Sequence, residues 1–155
     1  MNLDTERNNM KTKLRNRYYC DFCKKSGGHA GYMRKHESRC TLNPDRHCGF
    51  CDINEENIQP AMKDMLALLP DIAQFTTHVA DDFGEWEYDT FDSDKLTKAA
   101  NEALIELRKL SDCPGCIMAA LRQKGIPVPL VTDFSFKEES KRVWSDFNES
   151  QICGW

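Results

Sequence analysis

Six of the eight cysteines in this chain fall into three Cys-x-x-Cys pairs, Cys20/Cys23, Cys48/Cys51 and Cys113/Cys116; Cys40 and Cys153 complete the set. Thiolates spaced this way on a tight turn face one side, which suits either metal ligation or dithiol exchange. The first pair has company. Twelve residues separate Cys23 from His36 and three separate His36 from Cys40. Two donors four residues apart lie one turn apart on one helix face, so they converge on the ion that the thiolate pair already faces. Cys20, Cys23, His36 and Cys40 thus read as a tetrahedral zinc site.

This spacing resembles the Cys-Cys-His-His zinc finger family, in its Cys-Cys-His-Cys variant, over residues 18–40. Tyr18 stands where that family places an aromatic two residues before the first cysteine, and Met33 where it places a core leucine. Gly27 departs from the pattern, because the family carries its core aromatic there. Gly28 and Gly31 weaken the helix further, by about 1 kcal/mol each relative to Ala. The resemblance implies a small ββα unit that leans on its metal. It also implies base-facing positions at His29, Tyr32 and Lys35, with Lys24, Lys25, Arg34 and Arg39 meeting phosphates. The competing reading is a structural finger whose basic residues are ordinary solvated surface.

The arrangement from the finger into the next pair, residues 18–51, is also similar to small zinc-finger proteins of tailed bacteriophages. That likeness implies an accessory or host-takeover role in a bacterial cell and assigns no target.

Cys48-Gly49-Phe50-Cys51 and Cys113-Pro114-Gly115-Cys116 have the tight-turn composition of zinc knuckles, with 61 residues between Cys51 and Cys113. Together they make a second, closed four-cysteine site, so two Zn²⁺ are expected, and the intervening chain becomes a lobe clamped at its base. The redox reading rests on Cys-Gly-Phe-Cys and on Cys113 at a helix start, where a thiol's pKa falls. It lacks the strand and βαβ frame that such chemistry uses. Cys153 reads as a free thiol or a packed small side chain. His29, His47 and His78 read as non-ligands, and Tyr18 and Tyr19 as finger core and surface. The zinc-deaminase pattern fails: Pro114 is on the wrong side of Cys113, and no His-x-Glu lies upstream. No nucleophile triad, phosphate loop or carboxylate pair emerges, so the expectation is a protein that is not an enzyme.

The elements that position these residues follow from apolar spacing. Ile58, Met62, Met65, Leu66 and Leu69 predict a first helix with Pro60 in its opening turn. Ile72, Phe75, Val79 and Phe83 predict a second. Leu96, Ala100, Ala103, Leu107 and Leu110 predict a third, capped by Ser93 or Asp94. A fourth runs from Cys113-Pro114 to Gly125, followed by an extended Ile126–Leu130 segment held by its prolines. A capping box, Ser135 to Glu138, opens the last, which buries Phe136, Val143, Trp144 and Phe147. No strand is expected beyond the finger hairpin, and there is no internal repeat. Residues 81–94 hold seven acids and no base; no Gly sits at the sixth position of a properly spaced set of oxygens, as a calcium loop requires, and they read as solvated.

The expected fold class is mainly α: a basic lead-in (1–17), a ββα-type finger (18–42) and a zinc-stabilised helical lobe (43–155). The start, Met1–Arg7, carries no apolar leader and no segment reaches membrane-spanning length, so a reducing cytoplasm is expected (the host's, for a viral protein). Residues 1–52 carry eleven Lys/Arg against six Asp/Glu, whereas residues 53–155 carry ten against nineteen. A basic head on an acidic body suits nucleic-acid contact at one end and protein contact, or self-contact, at the other. The alternative is an adaptor or inhibitor that binds only protein and whose acidic lobe mimics a polyanion.

Overall fold

A computed structural model describes residues 13–53 and 58–152. The chain is mainly helical. Strands β1 (Tyr18–Tyr19) and β2 (Ser26–Gly27) form an antiparallel pair, with Tyr18 opposite Gly27, and lead into helix α1 (Ala30–Arg39). The short α2 (Gly49–Ile53) opens the lobe, and α3 (Met62–Leu68) follows. A 3₁₀ turn (Ile72–Phe75) then runs into a second antiparallel pair, β3 (Thr76–Ala80) and β4 (Glu87–Phe91). Helices α4 (Ser93–Leu110), α5 (Pro114–Lys124) and α6 (Phe136–Ile152) complete the fold.

Helix α5 is the axis of the lobe. Pro114 sits in its first turn, where its missing N–H costs nothing. Gly125 takes φ 79° at the far end, while the Ile126 and Gly125 N–H groups bond back to the Leu121 and Arg122 carbonyls, a Schellman closure. Ile117 and Leu121 are fully buried, each contributing about 1.5–3 kcal/mol. Around α5 pack Met62, Met65 and Leu69, then Ala100, Leu104 and Leu107 of α4, then Ile126, Val131 and Phe134. Arg108 of α4 reaches α6 and holds both Glu139 carboxylate oxygens, at 2.7 and 3.1 Å.

Several expectations are corrected. The second predicted helix is instead the 3₁₀ turn and β3–β4. Ile72, Phe75 and Val79 keep helical spacing, but Thr76, Thr77 and Val79 are β-branched and pair with Phe91, Thr90 and Tyr88. Asp81 Oδ1 accepts from the Glu85 and Trp86 N–H groups and Gly84 takes φ 69°, which closes the turn. His78 is therefore a strand residue, bonded at 2.8 Å to Asp89 across the ladder. The first predicted helix is α3, which starts after Pro60, at Met62, leaving Ile58 90% exposed. Asp92, not Ser93 or Asp94, caps α4: its Oδ1 accepts from Lys95 N–H. Leu104 takes a core place that the pattern gave to Ala103 and Leu110. Val128–Leu130 turns as a 3₁₀ segment rather than running extended. Ser135 does cap α6 through the Glu138 N–H, but Phe136, Val143 and Phe147 are only half-buried and Trp144 is 48% exposed.

The ββα unit is clasped to the lobe at residues 41–47. Gln123 of α5 donates to the Thr41 and Asn43 carbonyls, and Arg122 to the Thr41 hydroxyl. Asn43 donates to the Glu37 carbonyl of α1, and His47 N–H to that of Ser38.

Candidate metal centres

In the first cluster the donor atoms of Cys20, Cys23, His36 and Cys40 all lie within 4.8 Å of one another. The β1–β2 turn sets the first two: Cys20 N–H bonds the Lys25 carbonyl, and Lys25 N–H points at Cys23 Sγ, 3.4 Å away. Helix α1 supplies His36, whose Nε2 stands 3.2 Å from Cys23 Sγ. Cys40 is the helix C-cap, turned inward as the chain leaves α1. Glu37 pins the turn to the helix by accepting the Asp21 N–H. Met33 is buried under the cluster. A Cβ at Gly27 would stand 3.2 Å from Met33 Sδ, so methionine occupies the room an aromatic would need at that position. The Lys25 N–H, then His36, lower the Cys23 pKa to about 7, whereas burial raises that of Cys40.

The second cluster joins Cys48, Cys51, Cys113 and Cys116, all buried, again within 4.8 Å. Cys48 Sγ lies 3.6 Å from Cys113 Sγ, and Cys51 Sγ 3.5 Å from Cys116 Sγ. Sulfurs at the corners of a tetrahedron with bonds of about 2.3 Å are about 3.8 Å apart, so this spacing suits a shared ion. A disulfide needs about 2.05 Å, and the seven described cysteines are free thiols. Each pair opens a helix, α2 and α5. Four thiols packed this tightly cannot all ionise. Cys113 and its neighbours favour a thiolate at Cys48, lowering its pKa, and the same crowding raises those of Cys51 and Cys116. A cation at the centre removes that conflict.

Gly115 is required here. A Cβ on it would come within 2.9 Å of Phe50 Cδ2 and 3.0 Å of Cys48 Sγ. Two supporting residues carry no sequence signal. Gln59 accepts the Cys48 N–H and donates to the Arg46 carbonyl, both at 2.7 Å. Arg46, 7% exposed, donates from Nη1 to the Gly115 carbonyl and so ties the two knuckles together. These are the outer contacts that orient a ligand set.

All seven residues expected to meet nucleic acid, Lys24, Lys25, His29, Tyr32, Arg34, Lys35 and Arg39, are exposed. Lys25 and Tyr32 come together, the ammonium 3.3 Å from the phenol oxygen and 5.4 Å from the ring centre. His29 is already engaged in the fold, since its Nδ1 accepts the Tyr32 N–H as the α1 cap. Arg39 lies beside Gly49 at the start of α2. The lead-in's charge was legible but its placement was not: Arg15 and Arg17 line an indentation with Tyr18 and Gly28. Of the other histidines, His47 bonds Asp52. Cys153 lies outside the described residues. No described helix is long and apolar enough to cross a membrane.

No family model and no solved structure matches the chain. An alignment over 36 residues, covering 21% of this chain, is 47% identical to part of the defective intron-associated endonuclease 3 of Enterobacteria phage T4. The chain spans 37% of the length of that relative.

Proposed function

We propose that this chain is a non-enzymatic zinc-binding protein whose ββα unit contacts nucleic acid and whose helical lobe contacts protein or a second copy of itself. The carrying observation is the pair of four-donor clusters, one of three thiols and an imidazole, the other of four thiols. Soft sulfur and imidazole donors in tetrahedral sets favour Zn²⁺ over oxygen-seeking ions. Neither set reserves a position for water, as a hydrolytic zinc would. The buried sulfurs of the second set also lack the exposure that a redox dithiol needs. The exposed cations Lys24, Lys25, Arg34, Lys35 and Arg39, with Tyr32 among them, support the nucleic-acid side of the reading. So does the name of the phage relative, an endonuclease.

Elemental analysis of the purified chain tests the first part, with two zinc ions per chain expected. Retention on DNA or RNA at low salt tests the second. Arg34→Ala and Lys35→Ala are each expected to weaken it and to shallow the salt dependence by about 0.9 of a unit on duplex DNA for every phosphate no longer met. A chain that carries no zinc as isolated and loses no stability in strong chelator sinks the zinc reading. Absence of any retention hands the case to a protein-only adaptor, which the acidic surface of β3–β4 favours.

A further inference from the structure

The β3–β4 hairpin is the part of the fold that folding leaves unfinished. Four large aromatics on it face water: Phe83 is 88% exposed, Trp86 71%, Tyr88 56% and Phe91 44%. β3 packs against the 3₁₀ turn before it, while the lobe core lies elsewhere, among α3, α4 and α5. A two-stranded hairpin is marginal in water by itself; strand alternation puts Trp86 and Tyr88 on one of its faces and Phe91 on the other, so each face offers exposed aromatic area for another molecule to cover. The same hairpin carries Asp81, Asp82, Glu85, Glu87 and Asp89, with no Lys or Arg from residue 76 to 94; His78 bonds Asp89 at 2.8 Å and leaves the segment strongly acidic. Two such hairpins repel each other across their edges, so pairing like with like is disfavoured. The complementary surface is on the same chain: Lys24, Lys25, Arg34 and Lys35 are exposed on the ββα unit, within a head carrying a surplus of five positive charges.

We propose that the acidic, aromatic β3–β4 hairpin docks on the basic ββα unit of a second copy of this chain, covering the surface that nucleic acid would otherwise use. The proposal rests on the reading of that unit as the nucleic-acid contact. Trp86 and Tyr88 supply apolar area and ring faces for Lys or Arg, and the surrounding carboxylates supply steering and register. The contact is head-to-tail, since the two surfaces differ. It therefore builds rings or open chains rather than stopping at a two-fold dimer. Nucleic acid and self-contact exclude each other.

The test is sedimentation velocity on the zinc-loaded full chain over a range of concentrations, at low and high salt, with and without a short DNA duplex. Association that extends past the dimer, weakens with salt and is reversed by the duplex is expected. Trp86→Ala/Tyr88→Ala and Glu85→Gln/Glu87→Gln are each expected to weaken it at least about tenfold, with zinc content and helicity unchanged and binding to the duplex undiminished. Lys24→Ala/Lys25→Ala with Lys35→Ala are expected to remove both association and duplex binding. A chain that stays monomeric at every concentration overturns the docking, as does association indifferent to the hairpin variants. A monomeric chain that captures poly-L-lysine through the hairpin overturns the second copy in favour of a foreign basic protein. If the chain never binds nucleic acid yet associates through both surfaces, the docking stands and the nucleic-acid reading falls. If it binds nucleic acid at Lys35 and stays monomeric, the reverse holds.

Discussion

Gly115→Ala puts the second metal centre to a quantitative test. Ordinary carbon contact begins near 3.4 Å, and the new Cβ would stand 2.9 Å from Phe50 Cδ2 and 3.0 Å from Cys48 Sγ. Something must retreat by about half an ångström, whereas a metal–ligand distance tolerates only about 0.2 Å. Phe50 has limited room, because its ring meets those of Phe136 and Trp144 edge to face at 5.8 and 6.3 Å. Cys48 has less: it is fully buried and its N–H is held by Gln59. Overpacking of this kind costs about 1–3 kcal/mol. Carried into ion affinity, that is about a 5- to 150-fold weaker site; carried into melting, it is about 2–4 °C per kcal/mol at this chain length. Competition against a chromogenic chelator, which sees each released zinc, measures the first, and calorimetry the second. Gly28→Ala is the control, since nothing lies within 4 Å of its added Cβ and its effect is expected within about 0.5 kcal/mol. If Gly115→Ala released both ions with wild-type affinities and melted with the parent, the claim that these four sulfurs share one ion would be refuted.

Arg108→Met is expected to destabilise the lobe by about 1–3 kcal/mol in urea unfolding, because it leaves the mostly buried Glu139 carboxylate without its bidentate partner. Arg108→Lys, which keeps the charge but not the fork, is expected to recover only part of that. In metal-free protein, Cys23 is lowered from 9.0 to about 7 by the Lys25 N–H and then by His36. The folded value lies below the unfolded one, so the stability this thiolate adds is complete above about 9 and is lost as pH falls through about 7. Denaturant midpoints across that window are expected to fall with pH in the parent and to flatten in Cys23→Ser; equal slopes would count against the geometry at this turn.

How much of this was readable beforehand depended on distance along the chain. Both donor sets were legible, the first because its intervals are local: a turn of four residues and one helical turn fix three of the four directions. The caps of α5 were legible for the same reason, since Pro114 and Gly125 act within a turn of themselves. The second set was grouped from the knuckle composition of its two pairs, but what brings those pairs together was not readable. Cys51 meets Cys116 only because α3, α4 and α5 bury one core between them and bring two helix starts together. The hairpin was misread because Ile72, Phe75 and Val79 satisfy a helical period, and only the cross-strand partners of Thr76 to Ala80 reveal the strand. The exposure of Trp144, and the roles of Gln59 and Arg46, had no local signature at all. Sequence spacing therefore determined which side chains could ligate an ion, since a ligand's direction is set by the few bonds around it. Tertiary packing decided which of them share one ion, and which aromatics the core leaves facing water, because those depend on contacts between segments tens of residues apart.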